Sequence, residues 1–581
     1  MKRLASTLAL IWRLAAPYFR SQDRWPGRTL LAAVIAIELS IVGINVLLNQ
    51  WNNRFYNALQ NRDWDAFVAE LRFFCVLAAA YIILAVYQLY LNQWLQIRWR
   101  RWLTQQYLGR WLDRGNHYRM QLLGDAADNP DQRIAEDVEL FVARTLSIGV
   151  GLLGAVVTLA SFVVILWTLS ATAPVAFPGL NLPIPGYLVW AALLYAIFGT
   201  VFTHLIGRPL IPLNFLQQRY EADFRFNLVR VRENAEQIAL LRGETAESNN
   251  LLGRFSWVVA NWMAIMQRQK RLTFFTAAYS QVSIVFPFIV VSPAYFAGPF
   301  QLGGLIQTAS AFGRVESSLS FFINVYRSLA EWKAVIDRLS GFDASVAAGH
   351  AAAARPGAVK LVAQGAPAVE VHDLAVRLPN GTPLVTAGDF AIRSGDRLLV
   401  AGPTGAGKST LFRTIAGVWP FGSGHVVVPA GAKLLMLPQR PYFPVARLAA
   451  AVTYPAGPEA FSREDIQRAL AAVGLSALAE RLDEDAHWNR MLSLGEQQRL
   501  AIARAILHRP DYLFLDEATA SLDEPAEAGL YALLQERLPG AAIVSIGHRA
   551  ALNAFHHRRL ALVRDNGTYR AHEEAIVAGV S

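Results

Sequence analysis

The nine residues Gly402-Pro403-Thr404-Gly405-Ala406-Gly407-Lys408-Ser409-Thr410 have the pattern of a loop that wraps phosphates. Glycines without a Cβ let backbone N–H groups close around oxyanions, Lys408 neutralises the β/γ oxygens, and the Ser409 hydroxyl suits Mg2+. An ordinary glycine-rich turn needs no particular flanks. Here an apolar run, Arg397 to Ala401, reads as a buried strand before the loop, and LFRTIAGVW reads as a helix after it. A second strand pattern, Tyr512 to Leu515, ends in Asp516-Glu517. Asp516 is placed to hold Mg2+ through water, and Glu517 to polarise an attacking water. A lone acidic pair at a strand end is usually just solvated, but the phosphate loop gives this one a task. Together they predict ATP hydrolysis with Mg2+.

The elements that must position these groups form only part of the chain. At 581 residues it is too long for one core. Hydrophobic residues make up 54% and charged residues 17%, against roughly 45–50% and about 25% in soluble domains. Apolar stretches of helical spanning length occur at 30–48, 73–94, 148–169, 187–206 and 274–296, with a more polar sixth at 302–326. Gln307, Thr308, Ser310, Arg314, Glu316, Ser317, Ser318 and Ser320 in the sixth suit a helix lining a wet cavity. Basic residues before the first span and after the second (Arg98 to Arg119) put both on the cytoplasmic side. The connections 49–72, 170–186 and 297–301 then lie outside, while 98–147 and 207–273 read as helical extensions of the spans. The net charge of +10 fits cytoplasmic loops of a membrane protein, and nucleic acid is not expected as a partner. No signal or transit peptide is expected. The single cysteine, Cys75, reads as a packing residue. Residues 341–365, rich in Ala and Gly, read as a linker between a membrane domain (1–340) and an α/β domain (366–581).

Between the two nucleotide motifs lies Leu492-Ser493-Leu494-Gly495-Glu496-Gln497-Gln498-Arg499, followed by LAIARAIL. This resembles the signature of the ABC transporter superfamily, usually LSGGQ, with Leu494 and Glu496 as departures. The resemblance extends to Gln439 in LMLPQRPYF, to Ser521-Leu522-Asp523 and to His548 after AAIVSIG. It implies a six-helix, all-α transmembrane domain of the ABC exporter type joined to an α/β P-loop nucleotide-binding domain. It also implies that Gln439 touches Mg2+, that His548 contacts the γ-phosphate, that Asp523 belongs to the nucleotide site, and that Ser493, Gly495 and Glu496 meet the nucleotide of the opposite subunit. A homodimer with two ATP sites follows. The family's adenine-stacking aromatic is replaced by Leu378, leaving Arg377 or an apolar contact as substitutes.

Two further segments, NPDQRIAEDV (129–138) and NAEQIALLRGE (234–244), are similar to cytoplasmic motifs of subfamily D ABC transporters. LLNQWNNRFYNALQ is similar to bacterial SbmA/BacA-like transporters that carry a fused ATPase. This resemblance implies a bacterial inner membrane location and coupling roles for Asp131, Arg133, Glu136, Glu236, Arg242, Gly243 and Glu244. Glu38 in the first span and Arg314 and Glu316 in the sixth are ionisable groups costly in lipid, and so candidates to face a cavity. For Glu38 an interhelical hydrogen bond and a solute or proton contact are equally open. Arg314 and Glu316, two residues apart, should not pair. The functional readings are uptake of a hydrophilic or amphipathic solute such as a peptide or corrinoid, a fatty acyl or acyl-CoA transporter or an exporter, or an ATP-gated channel or regulator. The spans exclude a soluble repair or translation ATPase.

Overall fold

The structure, a computed structural model, describes residues 2–124, 129–172, 185–296, 298, 300–565 and 567–575. It divides into two compact units, Met1–Gln106 with Pro130–Ser340 and Tyr107–Asn129 with Gly341–Ser581. Among the described residues up to Ala354 the regular elements are helices: α1 (Lys2–Ala15), α2 (Arg24–Gln60), α3 (Trp64–Leu112), α4 (Asn116–Leu122), α5 (Val138–Thr172), α6 (Tyr187–Gly207), α7 (Leu210–Glu233), α8 (Ala235–Leu240), α9 (Glu244–Phe296), α10 (Leu302–Leu319) and α11 (Phe321–Ala354), with short helical turns between some of them.

Among the described residues five helical stretches are long and apolar enough to cross a membrane, and they contain the first five expected spans. The expected sixth, 302–326, is not one helix: α10 stops at Leu319 and α11 starts at Phe321. Its polar residues keep it below the apolarity of a lipid-facing span, and its inward face (Gly304, Thr308, Ala311, Phe312, Val315) packs into the first unit instead. The connection expected at 49–72 is mostly helical, since α2 runs on to Gln60 and α3 begins at Trp64. The Pro-rich loop expected at 170–186 falls largely outside the described residues, as do Ala297 and Pro299. Cys75 is exposed rather than packed.

The linker reading of 341–365 needs correcting. Alanine is the strongest helix former, so the Ala-rich run continues α11 to Ala354. Arg355-Pro356-Gly357 ends it, with Gly357 at φ +83°, and a strand starts at Lys360.

The second unit is built on an eleven-stranded sheet. Its strands are β1 (Lys360–Gln364), β2 (Ala368–Arg377), β3 (Pro383–Ala387), β4 (Phe390–Arg393), β5 (Arg397–Ala401), β6 (Gly422–Pro429), β7 (Leu434–Leu437), β8 (Tyr512–Asp516), β9 (Ala542–Ile546), β10 (Arg558–Asp565) and β11 (Thr568–Ala575). The order is β1-β6-β2-β3-β11-β10-β5-β9-β8-β7, with β4 paired to β2. Neighbours β5, β9, β8 and β7 run parallel; the apolar sequences of β5, β9 and β8 are almost wholly buried, while β7 at the edge buries Leu437. Helices α12 (Lys408–Ile415), α13 (Leu448–Thr453), α14 (Arg463–Ala472), α15 (Leu494–His508) and α16 (Glu524–Arg537) complete the unit. One apolar cluster joins β5, β8 and β9 to α13 through α16, and another joins the sheet to α12.

Arg504 of α15 ties the first cluster together. Its guanidinium donates to the carbonyls of Ala451 (2.7 Å), Tyr442 (3.0 Å) and Val452 (3.4 Å). It also lies over the rings of Phe443 and Tyr454, at 4.8 and 5.6 Å. Burial pushes it down to about 10, so it stays charged near neutrality. Arg504→Met fills similar space but strands two buried carbonyls, those of Ala451 and Val452, and the part-buried one of Tyr442. It is expected to destabilise the second unit by about 3 kcal/mol, read as a lower melting temperature of the full chain; an unchanged melt would show the carbonyls find other donors.

Candidate functional site

The phosphate loop leaves β5 and enters α12, and three of its glycines have conformations that other residues rarely adopt: Gly402 (φ +155°), Gly405 (+82°) and Gly407 (+89°). A Cβ on Gly407 would stand 2.7 Å from Val385 Cγ2 and 2.9 Å from Leu384 Cγ. Pro403, Thr404, Ala406 and Thr410 complete the turn, and Ala406 is fully buried. Lys408 folds back so that its Nζ donates to the carbonyls of Gly402 (2.8 Å) and Pro403 (3.1 Å). Burial pushes its ammonium below the usual lysine range. A buried cation at a helix N-terminus, held only by carbonyls, is arranged to meet anionic oxygens.

Three other segments arrive beside the loop. Ser409 Oγ donates to Asp516 Oδ1 at 2.8 Å, and burial pushes the Asp516 carboxyl up. A half-buried carboxylate beside a hydroxyl, with the Gln439 amide on the adjacent Glu517, offers the hard oxygen ligands that Mg2+ prefers. Glu517 has φ +49°, a left-handed conformation that costs a non-glycine residue about 1–2 kcal/mol. Its N–H donates to Ile546 O at 3.1 Å, anchoring the strained residue to the end of β9. Its carboxylate accepts from Gln439 Nε2 at 3.0 Å and lies 3.2 Å from His548 Nε2. The structure therefore brings Gln439, Glu517 and His548 together, although they come from three distant parts of the chain.

The signature residues do not join them. Ser493 caps α15, and its backbone N–H and hydroxyl both donate to Glu496 Oε2 at 2.8 Å, so Glu496 closes a capping box. Gly495 follows in the first turn. Asp523 caps α16 by accepting from Ala526 N at 3.1 Å. Leu378 packs partly buried against the sheet core, and Arg377 Nη1 donates to Gly381 O at 3.2 Å.

Sequence reasoning missed Gln498. Its side chain is fully buried, donating from Nε2 to Gln439 O (3.1 Å) while Oε1 accepts from Ser521 N (3.0 Å). It couples the Gln439 loop to the Ser521–Asp523 turn, yet in sequence it is only the second Gln of EQQR. Gln498→Leu is expected to cut the maximal ATPase rate about tenfold with little change in ATP affinity; an equal loss of affinity would show a general collapse of the site. Arg549 was missed as well. It donates to Glu527 Oε2 (3.1 Å) and Ala520 O (3.3 Å), fixing the backbone beside His548.

Of the expected coupling residues, Asp131, Glu136, Glu236, Arg242 and Glu244 are exposed and Gly243 half-buried. Arg133 is instead turned inward: residues 133–137 form a π-helical turn in which Arg133 pairs with buried Asp137, itself bound by Arg338 Nε at 2.9 Å. Fourfold spacing in so wide a turn puts Arg133 and Asp137 on one side. Sequence did not single out α4, which belongs to the second unit. Tyr118 and Leu122 pack on the apolar cluster of the second unit that contains Phe412, and Asn116 and Arg119 donate to Val346 O and Gly349 O, both at 3.2 Å.

In the first unit Glu38 accepts a hydrogen bond from Gln88 of α3 and packs against Gly154 of α5. This is the interhelical bond of the two readings left open. Arg314 Nη2 donates to Asn45 Oδ1 at 3.0 Å, and Glu316 accepts from Ser320 Oγ at 2.9 Å. The two do not pair.

Residues 14–296 match the family model described as ABC transporter transmembrane region 2, and 385–520 match the ABC transporter model. The chain is 36% identical to the inner membrane ABC transporter ATP-binding protein YddA of Escherichia coli, over 92% of this chain and 94% of that protein. It is 28% identical to the human lysosomal cobalamin transporter ABCD4, over 94% and 92% of the two chains. The fold matches a solved structure of a bacterial Atm1-family ABC exporter with ATP bound, with a TM-score of 0.70 at 17% identity, covering 94% of this chain and 95% of that one.

Proposed function

This chain belongs to the ABC transporter family, and from that premise we propose that it works as a homodimer in a bacterial inner membrane, using ATP and Mg2+ to take up a hydrophilic or amphipathic solute. The observation that carries this reading is the convergence of Ser409 with Asp516 and of Gln439 with Glu517 and His548 beside the phosphate loop, on a chain with five apolar membrane-length helices.

In this reading the loop N–H groups and Lys408 bind the phosphates, and Ser409, Asp516 and Gln439 would hold Mg2+, which would supply neutralisation of phosphate charge. Glu517 orients and deprotonates the attacking water, and His548 fixes the Glu517 carboxylate and donates to the terminal phosphate. Ser493, Gly495 and Glu496 serve the second protomer's nucleotide. Leu240 and Leu241, 77% and 82% exposed at the tip of α8, have the apolar character of a segment covered by a partner. Glu236, Arg242 and Glu244 around that tip would couple its movement to the partner's ATPase domain.

The likeness to a cobalamin transporter and the polar face of α10 favour a hydrophilic cargo over a fatty acyl one. Proteoliposomes supplied with ATP on one face, offered labelled cobalamin, peptide and acyl-CoA in turn, should accumulate one of the first two. Persistent ion current without accumulation of any of them would replace the pump by an ATP-gated channel.

A further inference from the structure

Resting on the transport reading above, we propose that Arg314, held by Asn45, recognises an anionic group, a carboxylate or a phosphate, on the solute that passes through the membrane domain.

Asn45, Asn49, Asn53 and Asn57 recur every fourth residue on α2 and so share one face. That face is zipped to α10. Asn57 Oδ1 accepts from Gly303 N (2.8 Å), Asn53 Nδ2 donates to Gln307 Oε1 (2.7 Å), Asn49 Nδ2 donates to Gln307 O (3.0 Å), and Arg314 donates to Asn45 (3.0 Å). The backbones approach closely at Gly303, where a Cβ would collide with Asn53 O. This seam fixes the height of α10 against α2, so Arg314 stands level with Asn45, about one turn inside the end of the apolar stretch 30–48.

There the guanidinium is exposed and its partner is a neutral amide. The carboxylates of Glu38 and Glu316 are engaged with Gln88 and Ser320, and no ion pair of Arg314 occurs among the described residues. A guanidinium at this depth without a counter-charge is sustained by a wet cavity and an anion that visits it. Its planar fork suits the two oxygens of a carboxylate or phosphate. Ser317 is exposed on the same side one turn away.

Cys75 is the sole cysteine, so Cys75→Ser with Ser317→Cys yields a full-length dimer with one reporter thiol per protomer. In phosphatidylcholine nanodiscs, its rate with an anionic sulfonate methanethiosulfonate is compared with that of the trimethylammonium analogue, normalised to a free thiol. The anion preference is expected to fall about tenfold on Arg314→Gln and to survive Arg314→Lys. Slowing of the sulfonate by citrate would assign the anion to a soluble solute, and slowing by added phosphatidylglycerol to a lipid headgroup. A ratio equal to that of the free thiol, or one unmoved by Arg314→Gln, overturns the proposal, including the case in which a carboxylate of the second protomer neutralises Arg314. ATP hydrolysis by the same Cys75→Ser/Ser317→Cys parent keeps the two readings apart. With hydrolysis present and the ratio flat, the anion site alone falls; with hydrolysis absent, the transport reading falls first.

Discussion

Glu517→Gln is expected to retain ATP binding while slowing hydrolysis by about 10³-fold, the usual scale for loss of a positioned general base. The amide occupies the same volume and can still bond Gln439 and His548, so the pocket should keep its shape. What disappears is the capacity to accept a proton from water. The strained backbone at Glu517 argues that the position is held for its chemistry, because an unstrained strand end would serve packing equally well. The measurement pairs phosphate release from the full-length protein with fluorescent-nucleotide binding. Near-normal turnover in the variant would remove Glu517 from the role of base.

The second large effect separates a dimer from a monomer. Lys408→Ala removes the cation of the phosphate loop, and Ser493→Arg places bulk and charge at the head of α15. Each alone should lower hydrolysis by about 10²-fold or more. Within one chain Ser493 is bonded to Glu496 rather than to the loop, so each protomer's signature is free to serve a neighbour. When the two variants are coexpressed, half of randomly assembled dimers combine an intact loop from one protomer with an intact signature from the other. Such a mixture should regain roughly a quarter of the normal rate, one working site in half of the C2 dimers. No recovery would mean that both residues act within a single protomer, and the homodimer would have to be given up.

Much of this was legible in sequence because the signals are local. The phosphate loop announces itself through glycines at fixed spacing between a strand and a helix, and the first five spans through uninterrupted apolar length. The errors are local as well. A composition of Ala and Gly suggested a linker at 341–365, but alanine continues a helix as readily as it fills a loop, and only Arg355-Pro356-Gly357 breaks it. Arg133 looked like a docking charge because charge on a helix normally faces water. A π-helical turn and the two-arginine cage around Asp137 drew it inward, which no fixed helical periodicity anticipates.

By itself, then, the sequence determined the two kinds of domain, the glycine-rich loop 402–410 between a strand and a helix, and the strand that leads into Asp516-Glu517, since each depends on neighbours within a few residues. The tertiary structure decided what these groups touch. Gln439 and Glu517, 78 residues apart, meet because β7 and β8 are parallel neighbours. Gln498 becomes the link between two loops only when α15 is packed beneath them. The asparagines of α2 become a seam only when α10, some 250 residues later, lies against them. Spacing fixes which face of an element a side chain occupies, but which other face it meets depends on contacts the chain makes only once it is folded.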